Sequence, residues 1–207
     1  MVASAAPKPF NQRKRLIVVQ TLSVLIVIAL LFAQPGWDEN STIHEFIEMA
    51  GLALILACVF GRLWSILFVG SRKNKELVTD GPYSITRNPL YLFSTIGAVG
   101  IGLTFGSLIV AALLGTLIYA VFHMTARKEE AFLRGQFGAE YDAYAARTPL
   151  FWPNFRAYRD AGETTFSPKA VVKTFFDALY FLAAFPAIEL VEYLHETGVL
   201  PTLFHVF

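Results

Sequence analysis

The sequence is short of cysteine and short of charge. Cys58 is its one cysteine in 207 residues, which excludes a disulfide framework and any cysteine-based zinc site. Charged residues make up 16% of the chain, against about 25% in an ordinary soluble domain. The side chains that solvate a water-facing surface are therefore missing. Low-complexity stretches and long repeats are absent too. With 55% apolar residues and a mean hydropathy of +0.51, disorder, collagen and nucleic-acid tails are excluded. What is present fits a small, all-α, polytopic membrane protein.

A bilayer core of about 30 Å needs roughly 20 mostly apolar residues per helix. Leu16–Ala33, Phe46–Val69, Ser107–Ala126 and Lys173–His195 meet that length or come close. A fifth stretch, Leu90–Phe105, is shorter and rich in glycine, and only Gly106 and its neighbours separate it from the next. These two spans are predicted to form a tight antiparallel hairpin, which makes about five spans in all. Arg13, Lys14 and Arg15 before the first span resemble a signal peptide. Its apolar core exceeds the usual length of about 7–15 residues, however, so an uncleaved anchor is expected. The chain reads as one membrane domain: N-terminal spans over 1–70, a motif-bearing core over 71–160, and a last span over 161–207.

Of the 17 Lys and Arg residues, all except Arg62 flank three places: the start of span one, the loop between spans two and three, and the segment between spans four and five. The loop around Asp38, Glu39 and Glu45 and the tail after His195 carry none. By the positive-inside rule the N-terminus is cytoplasmic and the C-terminus lies on the other side, with a bacterial inner membrane as the expected setting. The polar chemistry is then cytoplasmic, in Gly70–Pro89 and Arg127–Val172. The second segment reads as a short helix over Glu129–Gly135, a Phe137-Gly138 turn and a helix over Ala139–Ala146.

Ser94, Ala98, Gly102 and Gly106 recur every four residues on span three, as do Ser107, Ala111 and Gly115 on span four. Such faces let helices approach closely in lipid. Gly97 and Gly100 lie off that stripe, and two readings stay open for them: packing, or a groove against which a flat ligand lies. On span four, Tyr119, His123, Arg127 and Glu130 share one helical face at the cytoplasmic edge, with Glu129 about 100° away. Polar side chains grouped there usually line a cavity, whereas Arg127 alone would only snorkel. Arg62 is also expected to snorkel, Glu189 and Glu192 to turn outward at the far side, and Asp177 to pair with Lys173 one turn earlier. Between Gly81 and Tyr91, Pro82 and Pro89 stiffen the loop, and Pro89 suits the first turn of span three. Arg87 and Asn88 are thereby held at a helix mouth that favours an anion.

The run GPYSITRNPLY, then a glycine-rich span, then RKEEAFLRGQFGAEYDAYAARTPLFWP resembles the isoprenylcysteine carboxyl methyltransferase and phospholipid N-methyltransferase superfamily. The matching positions are Gly81, Pro82, Tyr83, Arg87, Pro89 and Tyr91, then Glu130, Leu133, Phe137, Gly138, Tyr141, Tyr144 and Pro153. Gly100-Ile101-Gly102 and Glu129-Glu130 look like the cofactor elements of the phospholipid enzymes. Asn88 stands where the family usually has His, and asparagine cannot titrate near neutrality.

The resemblance implies a membrane methyltransferase that uses S-adenosylmethionine and releases S-adenosylhomocysteine. Arg87, Glu130 and His123 are the implied catalytic residues. The implied cofactor site is Tyr83, Arg87, Asn88, Pro89, Tyr91, Gly97, Gly100, Gly102, Glu129, Glu130, Tyr141 and Tyr144. Methyl transfer from a sulfonium is an in-line displacement that needs no metal, so alignment is its main catalytic contribution. The substrate is expected to be a lipid or a prenylated molecule or peptide entering from the membrane, with no nucleic-acid partner. Two alternatives stand beside this reading: an NADPH-dependent sterol-type reductase, whose loop is related, and a non-catalytic membrane scaffold.

Overall fold

A computed structural model of the chain describes residues 28–37, 41–72 and 75–207. It is predominantly helical, as the composition requires. Most of predicted span one lies outside the described residues. Helix α1 covers Thr42–Val69, with the Ser41 hydroxyl capping it by accepting from the His44 amide at 3.2 Å. A short α2, Pro82–Ile85, leads through Arg87 and Asn88 into α3, Pro89–Thr104. Gly106, at φ 74°, turns the chain into α4, Leu108–Phe137, capped by Ser107. Then come α5, Ala139–Arg147, a single 3-10 turn at Phe155–Ala157, and α6, Pro168–Glu196.

Helices α1, α4 and α6 are long and apolar enough to cross a bilayer. With 16 residues, α3 is about 24 Å long, shorter than the hydrocarbon core. Exposed Phe46, Phe60, Leu113, Phe176 and Tyr180 stud the outside of the long helices. In water such a surface would aggregate, whereas in lipid it meets its own kind.

Two expectations need correction. First, α4 does not break at the membrane edge: it continues unbroken to Phe137, so the predicted Glu129–Gly135 helix is its last turns. Good helix formers follow Ala126 without a glycine or proline until Gly135, and the stop comes at Gly138, φ 53°. Second, the glycines of α3 serve two seams. Gly102 abuts the Ala111 backbone of α4, as expected of the hairpin, but Gly97 and Gly100 face α1. A methyl on Gly100 would lie 2.8 Å from the Gly51 carbonyl oxygen, and one on Gly97 would lie 2.6 Å from Cys58 Sγ. The face where a groove was conceivable is filled by a helix. Ser94 likewise leaves the hairpin stripe, accepting from Arg62 Nη1 at 2.5 Å and donating to the Leu90 carbonyl.

The all-α architecture expected from the composition is what is seen, with one short two-stranded pairing beside the helices. Strand β1, Ala33–Pro35, pairs in parallel with β2, Phe204–Val206, in the register Ala33–Phe204, Gln34–His205 and Pro35–Val206. The terminal Phe207 carbonyl accepts from the Ile109 amide and the Ser107 hydroxyl, both at 2.9 Å. The end of span one, the α3–α4 turn and the C-terminus thus meet at one end of the bundle. The basic residues gather at the other.

Candidate active site

The two motif segments, far apart in sequence, are stitched together by backbone and side-chain bonds at the basic end. The Arg87 amide donates to the Pro149 carbonyl at 2.9 Å, and the Thr86 hydroxyl to that of Phe151 at 2.8 Å. Asn88 Nδ2 donates to the Leu150 carbonyl at 2.9 Å. Asn88 therefore acts as a clamp on the Thr148–Pro153 segment, a role that needs a donor and no titration. Tyr144, almost fully buried, donates its hydroxyl to the Tyr83 carbonyl at 2.7 Å. Burial pushes both phenols well above the ordinary tyrosine range, which keeps both neutral and the Tyr144 hydroxyl a donor.

This scaffold holds a charged cluster. Arg87 Nη1 donates to Glu130 Oε1 at 2.8 Å and to the Tyr141 hydroxyl at 3.2 Å. Arg134 Nη2 reaches the same carboxylate oxygen at 3.2 Å, and Arg127 approaches the other at 3.6 Å. Arg134 also donates through Nε to Asp142 at 2.7 Å, tying α4 to α5. Burial by itself would raise the Glu130 carboxyl. The hydrogen bond and charge of Arg87, joined by Arg134 and Arg127, outweigh it and hold Glu130 below the ordinary carboxylate range. Burial likewise works against the Arg87 charge, and the bonds to Glu130 and Tyr141 reverse that effect and raise it. Glu130 is therefore ionised and fully engaged, which removes it as a proton acceptor at neutral pH.

Around this cluster the remaining candidates sort by distance. Pro89 is buried at the first turn of α3, and the Tyr91 ring stacks on Phe122 with centroids 4.7 Å apart. Glu129 is half-buried and makes no hydrogen bond or ion pair among the described residues. His123 packs beside Tyr119, centroids 5.6 Å apart, about 10 Å along α4 from Glu130. Gly97, Gly100 and Gly102 are not brought to the cluster: Gly100 lies about 16 Å up the helix from Pro89 and is buried in packing.

Beside the cluster, between α1, α3, α4 and α6, lies a cavity of about 290 Å³. Arg62, Tyr91, Ser94, Phe122, Lys173 and Asp177 are on its wall. Arg62 does not snorkel; it turns inward to Ser94 and lies 5.8 Å from the Phe181 ring centroid. Asp177 and Lys173 share the wall without forming an ion pair. A cation inside an apolar span was the signal for this cavity, and the snorkelling reading passed over it. Arg134 and Asp142 were also missed, because nothing in their spacing shows that α5 folds back on α4.

A family profile described as "Phospholipid methyltransferase" matches residues 46–140. The cobalt-zinc-cadmium resistance protein CzcN of Cupriavidus metallidurans is 34% identical over 95% of this chain and 90% of its own length. The nickel-cobalt-cadmium resistance protein NccN of Alcaligenes xylosoxydans xylosoxydans is 32% identical over 97% and 94%. The protein-S-isoprenylcysteine O-methyltransferase of Schizosaccharomyces pombe is 34% identical over 39% of this chain and 35% of its own. No solved structure matches the chain. The chain belongs to the integral-membrane superfamily that holds the phospholipid and isoprenylcysteine methyltransferases. Its membership, its apolar helices and its motif cluster together indicate a membrane methyltransferase.

Proposed function

We propose that this protein transfers the methyl group of S-adenosylmethionine to a membrane-borne, lipid-like or prenylated acceptor at the cytoplasmic edge of the bilayer. The observation that carries the reading is the cluster of Arg87, Glu130 and Tyr141 beside a mixed polar and apolar cavity, with Tyr91, in the first turn of α3 after Arg87, on the cavity wall. Arg87 Nε is buried without a hydrogen-bond partner while Nη1 is spent on Glu130. That orphan donor fits the cofactor carboxylate. Glu129 keeps both carboxylate oxygens for an ammonium or ribose hydroxyl. When bound, the cofactor supplies an electrophilic methyl on a sulfonium. The chain's part is alignment and exclusion of water: Glu130 and Tyr141 fix the Arg87 fork, and the Asn88–Leu150 bond closes the Thr148–Pro153 segment over it.

The apolar wall of Phe122, Leu90 and Ile66 suits an acyl or prenyl chain, and Arg62, Lys173 and Asp177 suit a charged head group. A carboxylate acceptor is ionised at neutral pH and needs no base. An amine acceptor needs one, and His123 takes that role since Glu130 is engaged. The names of the two full-length relatives attach them to metal resistance and not to a methyl acceptor, so the substrate class rests on the cavity. The orientation, N-terminus inside, is supported by the basic residues gathering at the cluster end.

Calorimetry with S-adenosylmethionine and with NADPH tests the cofactor, followed by methyl-labelled cofactor with a membrane lipid extract. Saturable S-adenosylmethionine binding and labelled lipid are expected. NADPH binding would select the reductase reading, and binding of neither would select the scaffold.

A further inference from the structure

At the end of the bundle away from the cluster, α1 and α6 bring three metal-ligating side chains together. His44 and Glu48 stand one turn apart on α1, with His44 Nε2 at 3.2 Å from Glu48 Oε1. Glu192 joins them from α6, and one ligand atom from each of the three lies within 4.8 Å of the others. The site is not a solvated acidic patch: His44 is 5% exposed and the Glu48 side chain 23%. The imidazole is wedged under the α3–α4 turn, where a methyl on Gly106 would lie 2.6 Å from its Cε1. Its Nδ1 is buried without a partner, so Nε2 is the polar outlet of the ring, and it points at the Glu48 carboxylate.

Charge sharpens the point. No Lys or Arg occurs between Arg15 and Arg62, and none follows Lys173. Along the helices Arg62 is about 21 Å from Glu48, and Lys173 about 28 Å from Glu192. Two half-buried carboxylates thus stand beside the buried imidazole at an end of the bundle that carries no Lys or Arg among the described residues, so a cation held there meets no competing positive charge.

We propose that His44, Glu48 and Glu192 form a binding site for a divalent transition-metal ion of the zinc, cobalt or nickel kind. One imidazole nitrogen and two carboxylates are a borderline donor set, suited to these ions and unlike the all-oxygen shells of magnesium and calcium. Ligand atoms on a tetrahedral ion with bonds of about 2.0–2.2 Å stand roughly 3.4 Å apart. The His44–Glu48 pair is already near that spacing, and rotation of the Glu192 side chain closes the third edge. Water takes the fourth position. Two carboxylates neutralise the ion, and the bound ion ties α1 to α6 and, through the His44 ring, to the α3–α4 turn.

The test uses full-length protein in detergent, without a polyhistidine tag and stripped with chelator, titrated with Co²⁺. One equivalent is expected to bind with a visible ligand-field band, and to raise the thermal midpoint. Glu192→Gln and Glu48→Gln are each expected to weaken binding by about tenfold or more and to abolish the thermal shift. Their metal-free midpoints are compared with the wild type to separate lost binding from lost folding. Should Glu192→Gln fail to fold, Glu48→Gln decides, since it lies at the more open edge of the site. A large excess of Mg²⁺ is expected not to displace the ion. Absence of saturable Co²⁺ binding below millimolar concentration overturns the proposal. So does binding that both variants leave intact, which would assign the ion to His123, His195 or His205, and so does ready displacement by Mg²⁺.

Discussion

Glu130 balances three guanidinium groups, and the cost of removing it differs from the cost of removing any one of them. The Arg87 side chain is 11% exposed and that of Glu130 9%, whereas Arg127 and Arg134 are 64% and 48% exposed. When Glu130 is replaced by Ala, the two outer arginines re-solvate, but Arg87 is left buried without a carboxylate. Breaking a buried pair in this way costs about 3–5 kcal/mol. In Arg87→Ala the carboxylate keeps its bond to Arg134 and its pairing with Arg127, so the loss is smaller, about 1–3 kcal/mol. The double variant removes both buried charges and should fall short of the sum by about 1–3 kcal/mol. At about 2–4 °C per kcal/mol for a chain of this size, Glu130→Ala lowers the thermal midpoint by about 6–20 °C. The assay is thermal unfolding of all three variants in one detergent, followed by tryptophan fluorescence. If Arg87→Ala proves as damaging as Glu130→Ala, or if the two effects simply add, Glu130 is not the hub of the cluster.

The depressed Glu130 carboxyl also sets a pH window. Its stabilisation is complete above the ordinary value of 4.5 and fades as pH falls through the lower folded value. The midpoint gap between wild type and Glu130→Gln should therefore be flat from pH 7 to about 5 and shrink below about 4; a gap that closes between pH 7 and 6 would point to a histidine instead. Gly100→Ala drives a methyl against the Gly51 carbonyl and Ile55, so it should cost about 1–3 kcal/mol of stability while leaving cofactor affinity per folded molecule unchanged. Because Asn88 serves as a donor to the Leu150 carbonyl, Asn88→Asp should destabilise more than Asn88→Ala, despite its closer shape; the reverse order in a melting experiment would remove the clamp. A cysteine replacing exposed Glu140 should react with an impermeant thiol reagent only after the cells are opened, and one replacing exposed Val199 in intact cells; labelling of both from the same side would contradict the five-span orientation.

What the sequence determined by itself is what depends on local chemistry. Apolar runs of bilayer length placed α1, α4 and α6 to within a few residues at most ends, because burial in lipid is decided by composition along the chain. The turn at Gly106 and the proline-started helix at Pro89 follow from backbone preferences that need no tertiary partner. The pairing of Arg87, Glu130 and Tyr141 was legible only as a coincidence of motif residues on one flank of the membrane. Which of them touch depended on how α5 folds back on α4, and that set Glu130 against three arginines instead of leaving it free. The tertiary structure also assigned Gly97 and Gly100 to α1, since a glycine's missing side chain carries no direction until a second helix fills the space. For the same reason it turned Arg62 inward to a cavity and joined Glu192 to His44 and Glu48. Long polar side chains at a membrane edge reach either lipid head groups or protein, and the neighbouring helix decides which.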